Sequence, residues 1–353
     1  MTFGYICTIK CRFKNLMKEL FAGITPDKLS VILEENAIGS VYAERIITNF
    51  YRRGIHDFST MINLPVRVMA FLGNYFETGL MTPVNKSFSA DGSMKFLFNG
   101  HDGRPFESVL IPDGKRTTLC VSVQSGCRMG CRFCLTGRMK FAGSLRASEI
   151  IGQVLSVPGW QSITHVVFMG MGEPLDNFDE VLASCSILTS GWGLALSPSH
   201  VTVSTVGIRD RVEQYILGTS CNLTLSLFSP FPNERAEQVP AEKSYPAGEI
   251  ISLMKKLPPS RKRRFSIAYV MMKDINDTEA HLDKLKELVT GSRIRINILP
   301  YHPLPGDANQ SSDLNRIRYF LEQLHLSGVS VSMRKSRGAD ISAACGLLAS
   351  GLR

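Results

Sequence analysis

Apolar residues recur at three- and four-residue spacing early in the chain, in LSVILEENA (29–37) and VYAERIITNFYRRG (41–54), and this period predicts amphipathic helices up to about Phe76. The period then shortens. In SADGSMKFLFNGHDGRPFESVLIP (89–112) Asp-Gly pairs interrupt alternating apolar positions, which predicts short antiparallel strands. After Thr117 short β-rich runs alternate with longer helical ones: TLCVSVQ, THVVFMG, HVTVSTV, NLTLSLF, FSIAYVMM, RINILPY and VSVSMRK are separated by segments such as ASEIIGQVL, DEVLASCSIL, PAGEIISLMKKL, TEAHLDKLKELV and DLNRIRYFLEQLHL. Repeated βα units predict a parallel sheet with helices outside, either a barrel or a doubly wound sheet. The organisation expected is a loose lead-in over 1–15, a small helical domain over 16–83, a short β linker over 84–116 and an α/β domain over 117–353.

Such a sheet carries its functional groups at the carboxyl ends of the strands. Polar residues fall there: Cys127 follows the first run, Gly170 to Glu173 the second, Ser204 and Ser226 the third and fourth, and His302 follows INILP.

The 353 residues, 44% of them hydrophobic and 20% charged, suffice for one large α/β barrel with an appendage. No apolar run reaches the roughly 18 residues of a membrane span, and Lys10, Arg12 and Lys14 interrupt the start before a secretory core could form. A cytoplasmic protein with no membrane contact is expected; an organelle transit segment is the alternative for so basic a start. The net charge of +9 favours a polyanionic partner. Arg261, Lys262, Arg263 and Arg264 lie in succession, and Arg334, Lys335 and Arg337 surround a turn, although a basic run of this kind also suits a solvated loop.

Nine cysteines form no disulfide ladder, and an odd count points to a reducing compartment with metal or catalytic thiols. Cys7, Cys11, Cys185 and Cys221 read as ordinary small apolar residues. Cys127, Cys131 and Cys134 cluster as C-x3-C-x2-C. Four thiolates would close a zinc or iron–sulfur site, so three mean either that a ligand such as Cys120 or a histidine lies elsewhere or that one metal position is open. Downstream, MGMGEPLDN (169–177) places two glycines where backbone can approach a ligand, and Glu173 before Pro174 presents a carboxylate with little backbone freedom.

With Phe133 just before its last cysteine, the loop resembles the signature of the radical S-adenosylmethionine enzymes, in which three cysteines hold a [4Fe–4S] cluster and the open iron chelates S-adenosylmethionine. The resemblance goes further. TLCVSVQSGCRMGCRFCLTG, SLRASEIIGQVL, VVFMGMGEPLDNFDEVL, VTVSTVGI and RKSRGADISAACGLLA resemble, in order, blocks of the radical methyl synthases that methylate adenine in RNA, the RlmN/Cfr family and most closely its RlmN branch. It spans the chain from near Pro26 to the last ten residues. The resemblance implies a partial (β/α)6 TIM-like barrel of the radical SAM type, with Cys127, Cys131 and Cys134 as cluster ligands. It implies cofactor contacts from Gly172 and Glu173, from Ser204, from Ser226, Leu227 and Phe228, and from His302. Two positions differ from the family pattern: its strand-end Ser-Leu-His is here Ser226-Leu227-Phe228, and many relatives carry asparagine where this chain has His302.

The resemblance also implies a mechanism. Cys345 takes a methyl group from one S-adenosylmethionine, and a second, bound to the cluster, is cleaved to a 5′-deoxyadenosyl radical that removes hydrogen from that methyl. The methylene radical adds to an adenine carbon, Glu107 removes the proton from the substituted carbon, and Cys120 forms a disulfide with Cys345 to release the product. A radical route suits the target, because an adenine C2–H is neither acidic nor nucleophilic and polar transfer cannot methylate it. The implied substrates are an adenosine of 23S ribosomal RNA and one of the tRNA anticodon loop, giving 2-methyladenosine. The helical domain would contact phosphates and the base would be flipped into the barrel mouth. An electron donor such as flavodoxin or ferredoxin and a monomeric state are expected. Three alternatives stand beside this reading: methylation at adenine C8, an RNA-binding or assembly factor without methylation, and a radical activase working on a protein.

Overall fold

A computed structural model of the protein describes residues 18–260 and 262–348. The expected lead-in over 1–15, with Cys7 and Cys11, lies outside these residues, as does Arg261.

The helical part runs from β1 (Glu19–Leu20) through α1 (Pro26–Glu35), α2 (Ala43–Ile47) and α3 (Val66–Tyr75) to β2 (Phe76–Glu77), which pairs parallel with β1. Thr25 caps α1 by accepting from the Lys28 amide, and Pro26 brings the fixed φ suited to a first helical residue. Phe21 packs against Phe50, Phe58 and Phe76 in the centre of this unit. The unit sits close on the larger domain: a Cβ at Gly23 would lie 2.4 Å from the Ser148 nitrogen, and one at Gly152 would lie 2.8 Å from the Gly79 oxygen.

Next come β3 (Asn85–Phe88), β4 (Met94–Asn99), β5 (Pro105–Asp113) and β6 (Arg116–Cys120), antiparallel neighbours in sequence order. A two-residue pair, β7 (Gln124–Ser125) with β8 (Gly143–Ser144), encloses α4 (Leu135–Arg138). The chain then alternates: α5 (Ala147–Ser156), β9 (His165–Phe168), α6 (Phe178–Thr189), β10 (Val201–Thr205), α7 (Arg209–Gly218), β11 (Asn222–Ser226), α8 (Pro232–Gln238), α9 (Ala247–Lys256), β12 (Phe265–Met271), α10 (Glu279–Val289), β13 (Arg295–Pro300), α11 (Leu314–Leu326) and β14 (Val331–Met333).

One ten-stranded sheet has the order β14-β13-β12-β11-β10-β9-β6-β5-β4-β3. From β6 to β14 every pairing is parallel and the order never reverses. A doubly wound sheet needs a reversal, so the choice left open by periodicity falls to the partial barrel. Its six βα units begin at β6, β9, β10, β11, β12 and β13, and β14 ends the series. Strands β3 to β5 belong to the same sheet, so the 84–116 stretch extends the barrel wall. Register then fixes which side chains share a face: Cys120 lies opposite Val109, Val109 opposite Lys95, and Glu107 is two residues from Val109.

Cys185 and Cys221 are buried, as small apolar residues would be. The basic run at 261–264 is not a solvated loop throughout, because Arg263 is buried and donates to the carbonyls of Cys221 at 2.7 Å and Ile216 at 2.6 Å. Among the described residues no helix is long and apolar enough to cross a membrane.

Candidate active site

The β7–β8 pair clasps the base of the cysteine loop. Two glycines let it close: a Cβ at Gly126, where φ is +76°, would stand 2.4 Å from the Lys140 oxygen, and one at Gly137 would stand 2.6 Å from the Cys131 oxygen. Cys131 is buried and Cys127 and Cys134 are half-buried. Burial pushes the Cys127 thiol up to about 12, carries Cys131 well above the ordinary thiol value and raises Cys134, and the neighbouring cysteines add to the rise at Cys127 and Cys131. Such thiols keep their protons unless a cation replaces them, as iron does. Among the described residues no three His, Cys, Asp or Glu side chains meet at a single-ion site. A [4Fe–4S] cluster places each thiolate on a different iron, so it asks only for thiols around a common volume, and three interacting sulfurs on one closed loop fit that demand.

The loop after β9 is tied to the cysteine loop. Gly172 has φ +96° and would bring a Cβ within 2.4 Å of Gln124 Cβ. Gln124 accepts the Glu173 amide at 2.9 Å and donates to Asp176 at 2.8 Å, while Arg128 reaches the same Asp176 at 3.0 Å. Glu173 is buried; its carboxylate accepts the amides of Leu175 at 3.0 Å and Val206 at 2.9 Å. Burial raises its pKa to about 7, opposed by the Thr205 hydroxyl and those amides. On adjacent strands the hydroxyls of Ser204 and Ser226 lie 3.2 Å apart.

Phe228 sits at φ +66°, a region costly for an aromatic residue, and its carbonyl accepts from Asn276 at 2.7 Å. Its ring stacks on Phe133 of the cysteine loop, centroids 5.1 Å apart, in an apolar cluster with Cys131, Val206, Val239 and Met272. Where the family pattern has an imidazole, this chain has an apolar floor under the loop. Leu227 turns its side chain into the main core.

Arg235 escaped the sequence reading, since no spacing marks it. It is 1% exposed. Its guanidinium donates to the carbonyls of Leu227 at 2.8 Å, Val206 at 2.8 Å and Ser226 at 3.0 Å, and pairs with buried Glu242. It therefore fastens the carboxyl ends of β10 and β11 beside the cysteine loop. Arg235→Met, which strands the Glu242 charge and three carbonyls, is expected to cost about 3–5 kcal/mol in urea unfolding. Adding Glu242→Leu should recover much of that loss; a single variant as stable as the parent would show that the pair holds nothing.

A second group joins β5, β6 and the C-terminal segment. The Leu135 amide donates to the Gly346 carbonyl at 2.7 Å, and the Thr136 hydroxyl donates to that of Leu348 at 3.0 Å. These bonds dock the segment bearing exposed Cys345 onto α4. Cys120 and Cys345 line one cavity of about 540 Å³. Burial pushes the Cys120 thiol up to about 12, and nearby Cys345 adds to it. Glu107 is buried with Lys95 Nζ at 3.2 Å, and the same ammonium reaches the Ser342 carbonyl at 3.5 Å, so Lys95 links Glu107 to the Cys345 segment. Nothing in the sequence pattern pointed to Lys95. His302 lines the Cys120–Cys345 cavity, 2.8 Å from the Ser336 hydroxyl, with its pKa lowered by burial.

The radical SAM superfamily pattern matches residues 121–289. The chain is 39% identical over 331 residues to the probable dual-specificity RNA methyltransferase RlmN of Parabacteroides distasonis, covering 94% of this chain and 96% of that protein. It is 37% identical over 326 residues to the protein of the same name from Bacteroides fragilis, covering 92% and 95%. The crystal structure of a radical SAM methyltransferase from Sphaerobacter thermophilus matches with a TM-score of 0.86 at 31% identity, over 94% of this chain and 99% of that one. Identity of this order along nearly the whole of both chains means that this chain belongs to the RlmN family of radical S-adenosylmethionine enzymes.

Proposed function

We propose that this chain is a radical methyl synthase that methylates C2 of an adenosine in RNA, with 23S ribosomal RNA and the tRNA anticodon loop as substrates. The observation that supports this best is the docking of the Cys345 segment on the cysteine loop, which brings a lone thiol within electrostatic reach of both Cys134 and Cys120. When bound, the cluster and S-adenosylmethionine supply a carbon radical able to take an unactivated hydrogen.

The chain's own residues do the rest. Cys127, Cys131 and Cys134 would each hold one iron. Gly172, Glu173, Ser204, Ser226 and His302, with the backbone at Leu227, would hold the cofactor, while Phe228 shapes the floor under the cysteine loop. Cys345 carries the methyl group, Cys120 faces it across the shared cavity to close a disulfide, and Glu107 takes the proton while Lys95 fixes its carboxylate. Two S-adenosylmethionine molecules are used per turnover. The helical domain over 16–83 contacts RNA phosphates, and the chain works as a cytoplasmic monomer fed by a flavodoxin or ferredoxin.

The test is anaerobic reconstitution with iron and sulfide, incubation with S-adenosylmethionine, reductant and RNA, and mass spectrometry of the digested nucleosides. 2-Methyladenosine is expected. 8-Methyladenosine would move the chain to the C8 branch, and cofactor cleavage with no methylated adenosine would show that the substrate is wrong.

A further inference from the structure

The cavity that ends at Cys120 and Cys345 continues down the inside of the barrel to the amino ends of the strands. A closed (β/α)8 barrel fills that space with branched apolar side chains. Here the lining is mixed: Thr118, Thr224, Ser266 and Asn297 face inward beside Val167, Met169 and Leu299, with the Thr224 and Ser266 hydroxyls 2.8 Å apart and Asn297 accepting from Ser332 at 3.0 Å. The lumen is therefore an open cavity with polar groups on its wall instead of a packed apolar core.

Its lower mouth is basic. Arg116 begins β6, Arg264 directly precedes β12 and Arg295 begins β13, so three strand starts each place a guanidinium on the lining, with Arg334 further in. Among the described residues the lining holds a single acid, Asp113, and Arg337 already engages it at 2.8 Å. Buried Arg295 Nε has no hydrogen-bond partner among the described residues. Arg334 Nη1 meets the thioether of Met169, a weak acceptor, at 3.2 Å. Burial, and then the charges of Arg334 and Arg264, lower the pKa of Arg116 against the opposing charge of Asp113, while burial and Arg116 push His165 down to about 4. The positive charges here repel one another, and donors remain unspent.

We propose that this lower mouth is an anion site built for a phosphate group, held by the guanidinium forks of Arg116, Arg264 and Arg295 at the end of the barrel opposite the cysteine loop. Arginine suits it because a planar fork presents paired donors to phosphate oxygens. The phosphate is either one of the RNA backbone or that of a free phosphate ester, and both present the same oxygens to the site.

The probe is inorganic pyrophosphate added to the full chain, with chloride at equal ionic strength as the control. Pyrophosphate is expected to raise the melting temperature of the parent beyond the chloride control, since a ligand that binds only the folded state stabilises it. The shift should vanish in Arg264→Gln/Arg295→Gln and persist at reduced size in Arg264→Lys/Arg295→Lys, which keeps the charges without the paired donors and serves if the glutamine pair folds poorly. A tenfold rise in KM for RNA with unchanged kcat in the glutamine variant would assign the phosphate to the RNA. Unchanged KM with the pyrophosphate shift gone would assign it to a free ester. No shift in the parent, or an undiminished one in the glutamine variant, would overturn the site.

Discussion

Cys131→Ala is expected to remove bound iron, visible absorbance and RNA methylation together while leaving the iron-free fold nearly as stable as that of the iron-free parent. The sulfur is buried, yet the turn around it is held by backbone, with the Cys134 amide donating to the Cys131 carbonyl at 3.2 Å and Gly137 packed over that carbonyl. Alanine preserves those contacts. Losing one buried heavy atom costs about 1 kcal/mol, the scale of a deleted methyl group. The chemistry has no such tolerance, because two thiolates cannot hold three irons while a fourth stays open for the cofactor. Methylation should fall by about a thousandfold or more, as when an essential catalytic group is deleted. Iron by colorimetry, thermal melting and nucleoside mass spectrometry on one preparation separate the two effects. Methylation that persists after the iron is gone would show that it does not run through this loop.

What could be read in advance divides along the range of the interaction. The C-x3-C-x2-C loop is a local pattern, and strand ends follow from the period of short apolar runs, so Gly172, Glu173, Ser204 and Ser226 could be placed on one rim without coordinates. The hydroxyl pair of Ser204 and Ser226 at 3.2 Å is the direct outcome of two neighbouring parallel strands ending together. Arg235 gave no such signal, because its acceptors are carbonyls, and every residue carries one. Lys95 and Glu107 lie on adjacent strands, but only the register of β4 against β5 brings the ammonium and carboxylate within 3.2 Å. The union of β3 to β5 with the barrel was hidden for the same reason: Asp-Gly turns announce a hairpin, and nothing in a hairpin says which strand its edge will meet. Phe228 shows the reverse case. The departure from Ser-Leu-His was visible in the sequence, but only the stack on Phe133 shows that the ring has joined the floor of the cysteine loop.

Cys120→Ala and Cys345→Ala are expected to fail in opposite ways. Without Cys345 there is no thiol to carry the methyl group, so neither product nor covalent complex should form. On the proposed mechanism, without Cys120 the methyl group is still carried and still joined to the base, but no sulfur attacks that of Cys345 to break its bond to carbon. The chain should then stay attached to RNA, a nuclease-sensitive species of raised mass on a denaturing gel, at no more than one equivalent per chain. Both residues are small and neither holds a hydrogen-bonded network, so the contrast cannot come from unfolding. The release step carries its own signature. With the Cys120 thiol pushed up to about 12 by burial, it is overwhelmingly protonated near neutrality, and its reactive thiolate grows tenfold with each pH unit until that value is reached. Release in the parent chain, followed in a single turnover, should therefore accelerate about tenfold per unit from pH 7 to 9 if thiolate formation limits it. A covalent complex in Cys345→Ala, or repeated turnover in Cys120→Ala, would assign release to a different group and leave Cys120 as a buried strand residue.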